Sequence, residues 1–305
     1  MLTRYLVSEG KLAPTAEETA PIWVYIAPDD AERRYLVDEL KLDEHTLTSS
    51  LDPDEVSRLE LEPEHVAIIV KRPKNYCAED NFVFKVMSAG LFLFKDRLVV
   101  VMPDEAPIID GKQQLKTNSP AGVMLRLLYR TVIHFVEHLR VITLVSDSLE
   151  QKLNTAMENR YLLNLFTLEK SLVYYLNAIN ANAGVIDKLR NNAPRIGFTQ
   201  EQLELLEDLA IENQQCYKQA EIYSNILSSL VSARVSIVNN NLTVLMKNQT
   251  LITIGLMVPT LVVSAFSMNV TIPLQRHPAA FWIIMGLAAT AMASFIVAWR
   301  TIRRS

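Results

Sequence analysis

Glycine is scarce in this sequence, with 8 residues among 305 where about 7% is usual. Neither G-x-G-x-x-G nor G-x-x-x-x-G-K-[ST] occurs, so a loop that cradles phosphate at a helix N-terminus is not expected. Cysteine is nearly absent. Cys77 and Cys216 are too few to staple a chain of this length, which excludes a disulfide scaffold and suits a reducing compartment. Acidic side chains are missing from one end. After Lys247 there is none, and the only Lys or Arg residues there are Arg276, Arg300, Arg303 and Arg304. The first 247 residues hold all 34 acids and 26 of the 30 bases, a formal net charge of −8, against +4 for the remainder. A chain divided in this way points to two environments. The acidic character of the larger part argues against nucleic acid as a partner. Half of the residues are hydrophobic, which excludes general disorder. Met1 to Thr19 is polar and mixed, so no secretory leader is expected.

Two long stretches free of charge occupy the C-terminal end, Asn248 to Gln275 and Pro278 to Trp299. Each exceeds the ~20 apolar residues a helix needs to cross a bilayer core. Only Arg276 and His277 separate them, between Pro273 and Pro278. The pattern predicts a membrane hairpin with spans Thr250 to Ser267 and Ala280 to Trp299. Positive charge is denser at its outer ends, at Lys247 and at Arg300, Arg303 and Arg304, than in the turn. Both termini are therefore expected in the cytoplasm, in a multi-pass protein of the cell (inner) membrane.

Upstream, short apolar runs bounded by Pro, Asp, Asn or Gly predict strands: Ile22 to Ile26, Val66 to Val70, Phe82 to Val86, Leu91 to Phe94 and Leu98 to Val101. Asp29-Asp30 opens a helix through about Leu40. A linker rich in breakers runs from Pro103 to Pro120. Helical periodicity then predicts one helix from Ala121 to about Glu158 and another from Arg160 to about Arg190. Pro194 and Gly197 mark a turn. Thr199 with Gln202 forms a capping-box pattern for a third helix. No breaker follows until Gly255 and Pro259, so this helix should continue from the cytoplasm into the membrane. The expected domains are 1–118 (cytoplasmic α/β), 119–247 (helical stalk) and 248–305 (transmembrane hairpin with a basic tail).

Within the first span, polar or small residues keep to one face. Thr243, Met246, Thr250, Thr253, Met257, Thr260, Ser264 and Ser267 recur at alternating intervals of three and four, a heptad seam. Two readings fit this seam. The hydroxyls bond back to their own helix while small residues permit close packing, or they line a pore. One hairpin cannot enclose a pore, so the second reading requires an oligomer.

Asn239-Asn240-Asn241-Leu242, Met246-Lys247, Pro259-Thr260-Leu261-Val262 and Ser267-Met268-Asn269 resemble the corresponding stretches of the CorA-type divalent cation transporters. The order of parts along the chain is also similar to theirs. This sequence is thus identified as a divergent member, with Ser-Met-Asn in place of Gly-Met-Asn. The resemblance implies an α+β cytoplasmic domain, long stalk helices and a two-helix transmembrane hairpin in a funnel-shaped homopentamer surrounded by membrane lipids. It implies a transporter or channel for divalent cations, Mg²⁺ foremost, and not an enzyme. Hydrated ions would pass a pore lined by Thr243, Met246, Gln249, Thr250, Thr253, Met257, Thr260, Ser264 and Ser267, with Met268 and Asn269 at the mouth. Transport of Zn²⁺, Co²⁺ or Ni²⁺, or a non-conducting scaffold, are the alternatives. The resemblance further implies regulatory cation sites between cytoplasmic domains, at Asp208 and Glu207 with Glu79 or Asp80 of the next subunit.

The chain departs from the family pattern in several places. Phe266-Ser267 replaces Tyr-Gly, Thr243 replaces an Asn, Gln249 replaces a Leu of the inner constriction, and the outer loop carries no acid. Separately, His134-Phe135-Val136-Glu137-His138 spells H-x-x-E-H, a zinc-protease pattern. On a long stalk-type helix with no third ligand marked, the expected role is packing or a surface pair.

Overall fold

Residues 1–8, 11–77, 80–105, 119–156, 159–269 and 277–304 are described by the computed structural model. Seven strands make one mixed sheet: β1 (Leu2–Ser8), β2 (Lys11–Thr15), β3 (Ile22–Ile26), β4 (Arg58–Leu61), β5 (Val66–Pro73), β6 (Val86–Leu93) and β7 (Leu98–Met102). Their order is β2-β1-β3-β7-β6-β5-β4. β3 and β7 run parallel, with Trp23 opposite Val99, and the other pairs are antiparallel. The helices are α1 (Asp30–Asp38), α2 (Glu44–Ser49), α3 (Pro120–Ala156), α4 (Asn159–Asn191), α5 (Ala193–Ile196), α6 (Gln200–Phe266) and α7 (Ala280–Arg304).

The sheet is covered on both faces, and the two-residue period of a strand divides its side chains between them. Trp23, Tyr25, Phe92, Val99 and Val101 meet Leu36 of α1 and Leu47 of α2. The alternating partners Ile22, Val24, Leu98, Val100, Leu91 and Ile68 meet Phe135 and Leu139 of α3, Leu172 and Tyr175 of α4, and Leu206 of α6 in a second cluster. Burial on both sides explains why β3 and β7 read as unbroken apolar runs. Gly90 marks where a helix end presses on the sheet. A Cβ there would stand 2.6 Å from the Cβ of Ser50, at the C-cap of α2.

Helix starts follow the sequence signals. Asp29 accepts the N–H of Glu32 at 2.8 Å, and the Glu32 carboxylate accepts the N–H of Asp29 at 3.1 Å. Thr199 and Gln202 make the same reciprocal arrangement ahead of α6, at 3.4 and 3.0 Å. α6 then runs for 67 residues, about 100 Å at 1.5 Å per residue.

Three expectations need correction. Phe82 to Val86 is not a separate strand: Asn81 and Phe82 take positive φ, which breaks the extended path, and β6 starts only at Val86. The Phe84 side chain is buried, and its N–H donates to Ser171 Oγ of α4 at 3.1 Å. Leu91 to Phe94 is the end of β6 rather than a strand of its own. β1, β2, β4 and the short helix α2 were not expected. Most of the Pro103 to Pro120 linker lies outside the described residues.

The chain divides into two compact units, Met1–Val231 and Ser232–Ser305. The first holds the sheet, α1 to α5 and the start of α6. The second holds the rest of α6 and α7.

Candidate functional site

The hydroxyl seam lies on the part of α6 that belongs to the C-terminal unit. The hydroxyls of Thr243, Thr250, Thr253 and Thr260 each donate to the carbonyl four residues back, on Asn239, Met246, Gln249 and Leu256, at 2.6–3.0 Å. Each hydroxyl hydrogen is thereby spent within the helix. The oxygen lone pairs remain, so the seam presents acceptors rather than donors. Thr243, Met246, Gln249, Thr250, Thr253, Met257, Thr260, Ser264 and Ser267 are all exposed. Pro259 sits inside α6 without breaking it. Because proline has no N–H, the Gly255 carbonyl loses its usual helical partner.

At the end of α6, the N–H and the hydroxyl of Ser267 both donate to the Ser264 carbonyl, at 3.1 and 3.0 Å. The final turn therefore tightens to a three-residue step. Among the described residues positive φ occurs at Ala27, Lys41, Asn81, Phe82 and Gly197. Ser267 leaves the helix without it and carries no left-handed strain. Met268 and Asn269 follow, both exposed. The Asn269 amide makes no hydrogen bond among the described residues. Pro273, Leu274, Gln275 and Arg276 of the connecting turn lie outside them.

Apolar side chains of the C-terminal unit face outward, as on a lipid-facing surface. Leu261 is 73% exposed and Trp282 is 75% exposed, whereas the core hairpin of a soluble protein would bury such groups. Trp282 and Trp299 stand near opposite ends of α7 and are about 26 Å apart along its axis. That separation suits indole rings at the two edges of a hydrocarbon core, a signal that the charge-free runs alone did not reveal. The Lys247 ammonium lies 5.5 Å from the centroid of the Trp299 ring, so Lys247 of α6 and the C-terminal end of α7 share one level. This unit contains no Asp or Glu, the last acid of the chain being Glu221, but it carries Arg234, Lys247, Arg276, Arg300, Arg303 and Arg304.

Three of the four acids expected to hold a regulatory cation, Glu207, Asp208 and Asp80, lie among the described residues. Glu207 and Asp208 are exposed on α6. The Asp80 carboxylate accepts the N–H and the thiol of Cys77, at 2.9 and 3.0 Å, and these bonds hold it below the usual carboxylate range. Glu79 lies outside the described residues. Among those residues, no three His, Cys, Asp or Glu side chains converge to hold a metal.

His134 and His138 are not a surface pair. Both are buried, with ring centroids 4.5 Å apart. His138 Nδ1 shares a hydrogen bond of 2.7 Å with the Tyr175 hydroxyl. Burial, seconded for His134 by the neighbouring His138, Arg130 and Arg72, pushes the two imidazoles down to about 3 and about 4, so both are neutral at pH 7. Glu137 turns instead to Arg130, 3.0 Å away.

Comparison with known proteins agrees with this layout. Residues 19–303 match the family model described as CorA-like Mg²⁺ transporter protein. The cobalt/magnesium transport protein CorA of Methanocaldococcus jannaschii is 25% identical over 295 residues, which cover 93% of this chain and 91% of the relative. The complete structure of the CorA magnesium transporter from Methanocaldococcus jannaschii superposes with a TM-score of 0.80 at 22% identity, covering 98% of this chain and 96% of that one. The full-length CmaX protein superposes with a TM-score of 0.70 at 16% identity, covering 99% and 97%.

Proposed function

The chain belongs to the CorA-like Mg²⁺ transporter family, and from that premise we propose that it conducts hydrated divalent cations, Mg²⁺ first, through the central pore of a homopentamer lined by the membrane part of α6. The family match carries this reading, and the seam is compatible with it: its hydroxyls bond back to their own helix, as on a packing face, yet leave oxygen acceptors outward. A hydrated Mg²⁺ dehydrates reluctantly, and its first-shell waters point hydrogens outward. A wall of acceptors receives those hydrogens without replacing any ligand of the ion. The Asn269 carboxamides, one from each subunit, would form the outermost acceptor ring. With no charged side chain along the seam, selection would rest on size and hydration. The membrane unit would have both termini in the cytoplasm, with the Lys247 and Trp299 level at the inner face.

A curated relative named for cobalt as well as magnesium supports Co²⁺ as a second substrate; Zn²⁺ and Ni²⁺ transport, and a non-conducting scaffold, are the competing readings. The deciding experiment is flux into proteoliposomes across Mg²⁺, Co²⁺, Ni²⁺ and Zn²⁺, for the native chain and for Asn269→Ala. Uptake of Mg²⁺ that collapses in Asn269→Ala is expected. No flux of any of the four ions would leave a scaffold.

A further inference from the structure

We infer that Lys247, Trp299 and Arg300, with the basic turn Arg303-Arg304 that follows, form a docking surface for the headgroups of anionic phospholipids. The inference rests on the reading of α6 and α7 as membrane-spanning.

Charge complementarity comes first. These four cations belong to a unit without a single Asp or Glu, so their counter-charge has to come from elsewhere. Among the described residues, neither Lys247 nor Arg300 enters an ion pair, and both are exposed. Geometry comes second. The Lys247 ammonium stands 5.5 Å from the centroid of the Trp299 ring, which brings a cation of α6 to the end of α7. α7 continues as helix to Arg304. Residues 299 and 303 are four apart, as are residues 300 and 304, and such pairs share a helix face. Cations therefore repeat one turn beyond the indole.

The third observation separates a lipid from a free anion. Immediately before Trp299, Ile296 and Val297 expose their side chains, so the cationic end is continuous with an apolar surface. A ligand that fits both has a phosphodiester headgroup and acyl chains. An indole belongs at the headgroup level, and a basic cluster just cytoplasmic of a span attracts anionic lipid at about fivefold in affinity per Lys or Arg.

The test uses the full chain reconstituted in phosphatidylcholine bilayers doped with spin-labelled phosphatidylglycerol or spin-labelled phosphatidylcholine, with the protein-bound fraction of each label as readout. The native chain should retain phosphatidylglycerol severalfold over phosphatidylcholine, and Lys247→Gln with Arg300→Gln should bring that preference close to parity. Lys247→Arg with Arg300→Lys should keep it. Equal retention of the two labels by the native chain, or an undiminished preference in the neutral variant, would overturn the inference. So would displacement of the label by inorganic phosphate at constant ionic strength, which would make the site one for a free anion. If the neutral pair fails to assemble, Arg303→Gln with Arg304→Gln replaces it under the same criteria. A native chain that does not enter bilayers at all would instead sink the membrane-spanning reading.

Discussion

Asn182 of α4 serves as a strand for Lys71 of β5. Its Oδ1 accepts the Lys71 N–H at 2.9 Å, and its Nδ2 donates to the Lys71 carbonyl at 2.7 Å. β4 pairs with β5 only as far as Arg58 opposite Ile69, so the next peptide of β5 would otherwise face a helix with both polar groups buried. Ser57 Oγ also donates to Asn182 Oδ1, at 2.9 Å, which ties the start of β4 into the same joint.

Asn182→Leu should therefore cost more than an average polar substitution. It leaves a buried N–H and a buried C=O unmade, each worth about 1–3 kcal/mol. A drop of several degrees in the melting midpoint of the full chain is expected, with Asn182→Asp falling in between because it keeps the acceptor. A midpoint unchanged in both variants would remove the joint from the list of stabilising contacts.

Stability should fall with acid through the histidine pair. The ordinary imidazole value is 6.5, and burial holds His134 near 3 and His138 near 4 in the folded chain. Below pH 6.5 the unfolded chain takes up these protons first. Their contribution is thus complete above that pH and declines as pH falls towards the folded values, to the extent of a few kcal/mol. His134 Nδ1 is buried without a hydrogen-bond partner, so His134→Leu should keep stability at pH 7.5 and flatten the acid limb. Melting midpoints between pH 4 and pH 8 check both statements.

Thr253→Val with Thr260→Val removes two acceptor oxygens per chain at nearly constant volume. If hydrated ions pass the seam, divalent flux should drop at least tenfold. Leu261→Val on the same helix, off the seam, serves as the control and should leave flux intact. Equal flux in all three proteins would mean that the seam packs against protein or lipid.

In the proposed pore, Gln249 would take the place of a leucine that closes the inner end by dewetting. Gln249→Leu should lower the resting cation leak of liposomes carrying the protein. A leak that stays the same or rises would place Gln249 away from the ion path.

Asp208 is exposed on α6, and carboxylates brought together between subunits repel unless a cation bridges them. Asp208→Ala should reduce the stabilisation conferred by millimolar Mg²⁺. The measurement is the Mg²⁺-dependent melting shift, and an identical shift in the variant would exclude this residue.

Much of the helical architecture was legible because its signals are local. Thr199 with Gln202, the charge-free runs and the period of the seam need no distant partner to be read. β3 and β7 were legible because both faces are buried. β1 and β4 were missed for the opposite reason. Leu2 to Val7 and Arg58 to Leu61 are largely half-buried and interleave Arg or Glu with apolar residues, so no unbroken run announces them. The Phe82 to Val86 run misled because Phe84 is apolar to fill the space beside His138 and Tyr175, not to join a sheet. At the candidate site, the spacing identified the residues of the seam. It did not foretell the direction of their hydroxyls or the tight, right-handed exit at Ser267.

The absence of carboxylates from the C-terminal unit bears on what drives an ion through it. The segment from Ser232 to Ser305 contains no Asp, Glu, Tyr or Cys, and its one histidine is His277. A counter-moving proton would find no acid to ride along the span, so movement of a divalent ion would draw on the membrane potential alone. Two charges crossing 100 mV gain about 4.6 kcal/mol, equivalent to a concentration ratio in the thousands. Influx under the present proposal should thus follow voltage and ignore an imposed pH gradient.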